Sequence, residues 1–262
     1  MKTFLVIDVG NTQIVLGLFQ SNLLQQHWRI SSNQAMTADE LAWKIEGLIR
    51  HTVVDLKKIH GVMIASVVPH LDELLHDACK RILTCDVAFV GSSQVKTGMA
   101  VDYKNPREVG ADRIVNAIAA KTRFGAPAIV LDCGTATTFD LVSAQGHYAG
   151  GLIIPGMQIA LEALYQRAAK LPEVSLSPPE TLIGRDTISS MQSGIFWSSI
   201  DGLNGVIKRL QQLDEYKNAP IIVTGGLSHA ILSELHNITA HIAHLTLEGL
   251  HTLAMRHFTN AE

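Results

Sequence analysis

Apolar, β-branched runs recur along this chain, and two of them lead into the same kind of turn. Phe4–Ile7 is followed by Asp8–Thr12, which reads Asp-Val-Gly-Asn-Thr. Ala128–Leu131 is followed by Asp132–Thr137, which reads Asp-Cys-Gly-Thr-Ala-Thr. A second strand-like stretch follows each turn. The pattern therefore predicts one unit used twice: a strand, a tight turn that carries Asp, Gly and hydroxyl side chains, and a returning strand.

The rest of the chain alternates strand and helix patterns. Further strands are predicted at His27–Ile30, Gly61–Val68, Val87–Val90 and Pro220–Val223. Helices are predicted behind a Thr37–Glu40 capping box, at Leu71–Ile82, from Asp112 to about Lys121, over Ile188–Leu213 and over Leu245–His257. Asp132 follows Asp8 by 124 residues, a domain's length, so two similar α/β halves are expected. Their predicted ranges are residues 1–123 and 124–262, with the seam near Gly125–Pro127.

Composition narrows the class of protein. A chain of 262 residues with 47% hydrophobic and 17% charged residues is typical of a soluble globule with two modest cores. A net charge of −3 without a basic cluster predicts no nucleic-acid partner. No apolar run has the length of a membrane span, and Asp8 interrupts the amino-terminal run too early for a secretory signal. With three cysteines that lack metal-type spacing, a cytoplasmic protein without a membrane partner is expected.

The two Asp-x-Gly turns are the first candidate chemistry. Gly10 and Gly134 allow a sharp turn and close approach to a ligand, and the amides and hydroxyls of such a turn can bind an anion. The aspartate can hold a cation beside that anion. Two such turns that face each other across a cleft could hold a nucleoside triphosphate and its metal. A single turn of this kind is usually only a hairpin, so the duplication is what favours the functional interpretation.

A second candidate is Gly110–Arg113, which reads Gly-Ala-Asp-Arg at a predicted helix start. A carboxylate held there beside a phosphate site can orient an alcohol and accept its proton during phosphoryl transfer. Asp112 could equally do no more than satisfy the first N–H groups of the helix. Arg113 could pair with a substrate carboxylate or with a neighbouring acid. The glycine pair in Thr224–Gly226 follows a strand and is a weaker signal, since such turns are often structural.

The duplicated turns resemble the phosphate-binding turns of the actin, hexokinase and sugar-kinase superfamily. Seven strings, in this order, resemble the type III pantothenate kinase family: Asp8–Thr12, Ser66–Pro69, Tyr103–Pro106, Glu108–Arg113, Asp132–Thr137, Gly150–Gly156 and Thr224–Gly226. The likeness covers nearly the whole chain, and Tyr-x-Asn-Pro followed by Gly-Ala-Asp-Arg is its specific part. Lys104 departs from the pattern, where an acidic residue is more usual. The implied fold is α/β: two duplicated actin-like (ribonuclease H-like) domains with a nucleotide cleft between them.

The resemblance also implies roles for the matching residues. The ATP-binding residues would be Asp8, Val9, Gly10, Asn11, Thr12, Gln13, Ile14, Val15 and Thr135, with Asp8 also near Mg²⁺. Pantothenate would contact Tyr103, Gly110, Ala111, Asp112, Arg113 and Thr187, with Asp112 as the general base. Asp132 would hold a monovalent cation, K⁺ or NH₄⁺, which offsets phosphate charge where no lysine is available.

The implied activity is ATP-dependent phosphorylation of pantothenate to 4′-phosphopantothenate, the first step of coenzyme A biosynthesis. Two alternatives stay open: a non-enzymatic transcriptional accessory protein on the same fold, and another sugar-type kinase or phosphatase of the superfamily. The presence of Asp8, Asp112 and Asp132 speaks against the first. The string Gly110–Arg113 is what separates the chain from the second.

A homodimer is also implied, in which Thr187 reaches the partner's pantothenate site. An apolar stripe with helical spacing is expected to form the contact; its members are Met191, Ile195, Phe196, Ile200 and Leu203, with Trp197 beside them. The competing interpretation is that this stripe packs on its own sheet, which is the commoner arrangement.

Overall fold

The computed structural model describes residues 2–32, 36–52 and 54–259, which form two compact units. The first unit takes residues 1–119 together with 245–262, and the second takes residues 120–244.

The first unit is built on a mixed sheet of five strands. These are β1 (Thr3–Val9), β2 (Gln13–Gln20), β3 (Leu23–Ser31), β4 (Ile59–Ser66) and β5 (Asp86–Phe89). Their order is β3-β2-β1-β4-β5, with β1 antiparallel to β2 and parallel to β4. Val9 lies opposite Ser66 in the parallel pair. The first Asp-x-Gly turn and the loop after β4 therefore leave the sheet at the same edge.

Three helices of this region follow the predicted pattern: α1 (Ala38–Arg50), α2 (Asp72–Ile82) and α3 (Ala111–Phe124). The predicted capping box is present at α1, where Thr37 Oγ1 accepts from Glu40 N at 3.3 Å and Thr37 N donates to Glu40 Oε2 at 2.8 Å. Apolar side chains of α1 and α2 pack with those of β1, β2 and β4 in one core. Burial of such an amphipathic face is what stabilises short helices.

The second unit repeats this plan. Its strands are β6 (Ala128–Cys133), β7 (Ala136–Val142), β8 (Tyr148–Pro155), β9 (Ile221–Thr224) and β10 (Ala240–His241). Their order is β8-β7-β6-β9-β10, with β6 antiparallel to β7 and parallel to β9. Read from its own first strand, each sheet has the same order and the same mixture of directions. The predicted duplication of an α/β unit is thus confirmed.

The helices of the second unit are α4 (Met157–Arg167), α5 (Thr187–Leu210) and the short α6 (Ser228–Ile231). The stripe on α5 packs inside its own unit: Phe196, Ile200 and Leu203 join the core of the second sheet, and Met191 packs with Leu161 and Val174. Ile200 is only 2% exposed. The expectation that this stripe forms a contact between two copies is therefore wrong for Met191, Phe196, Ile200 and Leu203, because packing inside their own unit already buries them.

The last helix, α7 (Leu245–Thr259), returns to the first unit. A Cβ at Gly61 on β4 would lie 2.5 Å from the Phe258 ring, and one at Gly17 on β2 would lie 3.0 Å from Leu247 Cδ1. Phe258 also stacks on Phe4 of β1 with ring centroids 5.9 Å apart. The compact units accordingly differ from the expected ranges 1–123 and 124–262. The amphipathic pattern located α7 but could not tell which sheet its apolar face covers. Among the described residues, no helix combines the length and apolarity of a bilayer span.

Candidate active site

The first Asp-x-Gly turn closes between β1 and β2. Gly10 N donates to Gln13 O at 3.0 Å, and a Cβ at residue 10 would lie 3.2 Å from that same oxygen. Gly10 is not in the left-handed region, so the close contact, and not an unusual φ, is what favours glycine here. The side chains of Asn11, Thr12 and Gln13 are exposed, and Asp8 is half-buried. Val9 and Ile14 are buried, which leaves only their backbone to a ligand.

Ser32 supports this turn, a role that the sequence interpretation missed. Its Oγ donates to Gly10 O at 2.6 Å and its N donates to Thr12 O at 3.1 Å. The register of the β2–β3 hairpin could have identified it. Gln13 pairs with Ser31, so Ser32, the residue after β3, lies beside the turn. Both hydrogen bonds fix the conformation of the loop before any ligand binds.

The Gly110–Arg113 segment lies beside the same edge of the first sheet. Val67, just after β4, donates from its N to Val9 O at 3.0 Å. A Cβ at Gly110 would lie 3.4 Å from Val67 Cγ1. The structure thus brings the Asp8 turn and the Asp112 segment to one edge of the first unit, with Val67 between them.

Asp112 is the second residue of α3, and its carboxylate folds back toward the helix start. Its Oδ1 accepts a hydrogen bond from Arg113 N at 2.8 Å and would lie 2.5 Å from a Cβ at Gly110. Burial raises the pKa of Asp112, while the hydrogen bond and charge of Arg113 oppose that rise. The side chain remains partly open to solvent. It is therefore a stronger base than an exposed aspartate and is still accessible.

The three other predicted substrate residues of this unit differ in exposure. Arg113 is 7% exposed, so its side chain is buried and does not lie on the surface. Tyr103 is 37% exposed and lies in the loop before α3. Ala111 begins α3 and is half-buried.

The second Asp-x-Gly turn is one residue tighter than the first. Gly134 N donates to Ala136 O at 3.1 Å, between β6 and β7. Gly156, after β8, lies against this turn: a Cβ there would overlap Thr135 O and lie 2.8 Å from Gly134 O. This explains why the Gly150–Gly156 string ends in glycine, since a side chain would displace Thr135.

Asp132 lies at the end of β6, half-buried, and the predicted third glycine turn closes over it. Asp132 is opposite Thr224 in the parallel pair of β6 and β9. The next residue, Gly225, has a φ of +94°, and a Cβ on it would overlap Asp132 Oδ1. Only glycine fits there, for both reasons.

Cys133 is 2% exposed, and burial raises the pKa of its thiol to about 12, with the charge of Asp132 adding to the rise. Such a thiol is unreactive at neutral pH.

The donor sets of the two turns fit the implied cations. Across residues 2–32, 36–52 and 54–259 no group of three or more His, Cys, Asp or Glu side chains could hold a metal by itself. Mg²⁺ is usually bound by one or two carboxylates together with substrate phosphates, so Asp8 suits an ion that arrives with ATP. Asp132, with the backbone of Gly225 packed beside it, offers oxygen ligands to a monovalent cation.

Thr187, the last predicted site residue, begins α5 and is exposed. Asp186 caps this helix by accepting from Ser189 N at 2.9 Å. Thr187 lines an open pocket of about 820 Å³ between α4 and α5, whose lining includes no residue of the Asp132 turn. No other residue predicted for the site lines this pocket.

Solved structures with the same fold include kinases and other proteins. A protein from Campylobacter jejuni described as a Baf family transcriptional activator aligns with a TM-score of 0.58 at 18% identity, over 97% of this chain and 98% of that one. Component A of (R)-2-hydroxyglutaryl-CoA dehydratase from Acidaminococcus fermentans gives 0.53 at 10% identity, over 100% and 99%. A ROK family glucokinase from Streptomyces griseus, solved with glucose and AMPPNP, gives 0.50 at 13% identity, over 97% and 99%. At these identities the likeness shows the fold alone.

Sequence comparison is more specific. The chain is 44% identical over 246 residues to the type III pantothenate kinase of Halalkalibacterium halodurans, which spans 94% of this chain and 96% of that protein. It is 47% identical over 246 residues to that of Moorella thermoacetica, with the same coverage. The sequence model of the family matches residues 4–209, a range that contains both Asp-x-Gly turns and Gly110–Arg113. The chain therefore belongs to the type III pantothenate kinase family.

Proposed function

We propose that this chain transfers the γ-phosphoryl group of ATP to the 4′-hydroxyl of pantothenate, the first step of coenzyme A biosynthesis, with Asp112 as the general base. Membership of the family supports the reaction. One observation supports the base: a half-buried carboxylate with a raised pKa is fixed at the sheet edge that carries the Asp8 turn.

Asp112 accepts the proton of the attacking hydroxyl, and its position is set before substrate binds. Arg113 N holds one carboxylate oxygen, and the space over Gly110 receives it. The second oxygen is the one that faces the alcohol. Because phosphoryl transfer depends mainly on positioning and charge stabilisation, a fixed base of this kind is worth about 10²–10⁴-fold in rate. Pantothenate is contacted by Tyr103, Gly110, Ala111 and Arg113. Thr187 reaches the pantothenate site of a second copy of the chain.

The residues Asp8–Val15 bind the phosphates of ATP. The buried side chains of Val9 and Ile14 anchor the loop, while Asn11, Thr12 and Gln13 are exposed. Asp8 would hold the Mg²⁺ that arrives with ATP, and that ion would supply positive charge beside the transferring phosphoryl group. Asp8 itself orients the nucleotide through its own carboxylate.

Thr135 contacts the nucleotide, and Asp132 binds K⁺ or NH₄⁺. When bound, this cation would supply the positive charge that a P-loop lysine supplies in other nucleotide-binding sites. Asp132 is suited to this because Gly225 confines its carboxylate at the end of β6.

We further propose that the enzyme is a cytoplasmic homodimer. Three large apolar side chains around the start of α5 are exposed: Leu182 by 69%, Ile183 by 75% and Ile188 by 49%. Their loop is anchored, since Ser193 Oγ donates to Leu182 O at 2.5 Å and Gly184 packs against the backbone of Ser189 and Ser190. An ordered loop that presents apolar side chains to solvent suits contact with a second copy. These residues replace the α5 stripe as the expected interface.

A coupled assay of ADP release tests the proposed function. With pantothenate, ATP, Mg²⁺ and K⁺, the protein should release ADP and form 4′-phosphopantothenate in equal amounts. Omitting pantothenate should reduce ADP release to background, and replacing K⁺ by tetramethylammonium should reduce the rate. ADP release that does not depend on pantothenate would contradict the proposal.

A further inference from the structure

Ser228 and His241 form a hydrogen-bonded pair beside the Asp132 turn, outside the residues to which a role has been given. Ser228 Oγ lies 2.8 Å from His241 Nε2 and donates to Gly225 O at 2.6 Å. Ser228 is 1% exposed and His241 is half-buried. The pair therefore connects the edge strand β10 to the backbone of Gly225.

The number of protons available decides which atom donates in each of these two hydrogen bonds. A serine hydroxyl has one proton, and that of Ser228 is donated to Gly225 O. His241 Nε2 must then carry a proton and donate it to Ser228 Oγ. The geometry excludes a nucleophilic Ser–His pair, because there the serine would donate to the histidine and would be open to a substrate. The two hydrogen bonds therefore have a structural role: His241 donates to Ser228, and Ser228 donates to Gly225 O.

These two hydrogen bonds fix the position of Gly225. At a φ of +94° its Cα packs so closely on β6 that a Cβ would lie 2.5 Å from Cys133 N and would overlap Asp132 Oδ1. Leu227 N donates to Cys133 O at 3.0 Å and Ser228 N donates to Gly225 O at 3.2 Å. The turn from Gly225 to Ser228 is thus one wall of the space that the Asp132 carboxylate occupies. Gly225 therefore limits the directions in which that carboxylate can point.

The edge strand β10 supplies His241, the first donor in this series of hydrogen bonds. His241 pairs with Val223 in the parallel register, and Ile242 N donates to Val223 O at 2.9 Å. Because β6, β9 and β10 are parallel, their carboxyl ends lie at one edge of the sheet, which places His241 at the edge where Asp132 lies. This explains why a strand of only two residues ends in a histidine.

We propose that Ser228 and His241 are positioning residues that hold Gly225 against Asp132 and so fix the carboxylate that binds the monovalent cation. The inference rests on the proposed role of Asp132. It adds to that role two residues that touch neither ATP nor pantothenate in the proposed reaction.

Four variants test it: Ser228→Ala, His241→Leu, His241→Gln and the control His229→Leu. The Gln amide N–H can reach the place of His241 Nε2, whereas Leu cannot donate. His229 is exposed, lies on the same short helix as Ser228 and has its ring 6.5 Å from that of His241. The readouts are the Kd of ATP by calorimetry in KCl and in tetramethylammonium chloride, the KM of pantothenate, and the unfolding temperature.

Ser228→Ala and His241→Leu should raise the Kd of ATP in KCl on the order of tenfold, with a much smaller effect in tetramethylammonium, because one hydrogen bond of the chain is lost. His241→Gln and His229→Leu should stay within about twofold of the parent protein. The KM of pantothenate should be unchanged. A lower unfolding temperature with an unchanged effect of KCl on ATP binding would show a merely structural role and overturn the inference.

If Ser228→Ala does not fold, the comparison of His241→Leu with His241→Gln still decides the question. If the parent protein binds ATP equally well in both salts, the inference is overturned together with the cation role of Asp132. A parent protein that binds ATP but does not phosphorylate pantothenate would overturn the proposed function, and the ATP titrations would still decide the inference.

Discussion

The carboxylate of Asp112 occupies the space that a side chain at residue 110 would need: its Oδ1 would lie 2.5 Å from a Cβ there. Gly110 and Asp112 therefore work as a pair in the Gly-Ala-Asp-Arg string. The glycine gives the carboxylate room to fold back over the start of α3, and the hydrogen bond from Arg113 N keeps it there.

Replacing the carboxylate tests the general base. Asp112→Asn keeps the shape but cannot accept a proton, so kcat should fall by about 10²–10⁴-fold while the Kd of ATP stays near that of the parent protein. Steady-state kinetics and calorimetry measure the two quantities. The control is Asp77→Asn on α2. The Asp77 side chain is exposed, so this substitution should leave kcat and the Kd of ATP unchanged. Retention of more than about a tenth of the parent kcat by Asp112→Asn would remove Asp112 from this role.

The pH dependence of the same step carries a second expectation. Burial raises the pKa of Asp112, so the acidic limb of the kcat/KM profile should lie above the ordinary value of 3.8 for aspartate. The reaction needs the deprotonated form, and the rate should fall as the pH drops through the raised pKa. An acidic limb at or below 3.8 would contradict the assignment.

Gly110→Ala should reproduce much of this loss without removing the carboxylate. The added methyl group displaces the Asp112 side chain, so kcat should fall at least about tenfold, in line with the sensitivity of reactions to misplacement of about 1 Å. The matched control is Gly47→Ala in α1, where a Cβ meets nothing within 4 Å. That control should keep full activity and gain about 1 kcal/mol of stability, because alanine favours helix. Equal activity of the two variants would show that the carboxylate does not need the space over Gly110.

His251 should make the free energy of unfolding depend on pH. It is 7% exposed and stacks on Phe19 with ring centroids 4.3 Å apart; its Nε2 has no hydrogen-bond partner among the described residues. Burial lowers the pKa of His251 below its ordinary 6.5. The unfolded chain then binds the proton more readily, and stability is lost as the pH falls from about 6.5 toward the lowered pKa.

His251→Phe keeps the stacking and removes the proton site. Its free energy of unfolding, measured by denaturant titration between pH 7 and pH 5, should decline less steeply than that of the parent protein. Parallel curves for the two proteins would show that protonation of His251 does not contribute.

Ile183→Asp should weaken the proposed dimer. A charge in an apolar contact that meets its own copy across a two-fold axis is unfavourable twice, so sedimentation at micromolar concentration should shift toward the monomer mass. Leu23→Asp is the control, since Leu23 is similarly exposed but lies on β3 of the first unit. Ile200→Asp should instead unfold the protein, because Ile200 belongs to the core of the second unit. A parent protein that sediments as a fully active monomer would contradict the dimer.

The sequence predicted most of the elements, because apolar periodicity and caps are local signals. The Thr37–Glu40 capping box predicts the start of α1, and the two Asp-x-Gly turns predict the repeated sheets. Other features depend on contacts between distant residues. The return of α7 to β1 and β4, the burial of Ile200 in its own unit and the two-residue strand β10 have no local signature.

The same distinction applies to the candidate site. Asp8, Asp112 and Asp132 were found from strings, since their chemistry requires those residue types beside glycine. Ser32 and Ser228 were missed, because the partners that reveal their roles, Gly10 and His241, lie 22 and 13 residues away along the chain. Side chains that position a site are specified by register and packing, which only the folded chain displays.

The return of α7 to the first sheet has a consequence for biosynthesis. The ribosome synthesises β1, β2 and β4 long before Leu245–Thr259, and until then the sheet face around Gly17, Gly61 and Phe4 lacks the helix that packs on it. The first unit cannot finish folding until α7 has been synthesised, whereas residues 120–244 are contiguous and can fold before that point. A polypeptide cut before Leu245 would present this apolar face to chaperones and proteases, so quality control in the cell would recognise incomplete chains by the strands that were made first.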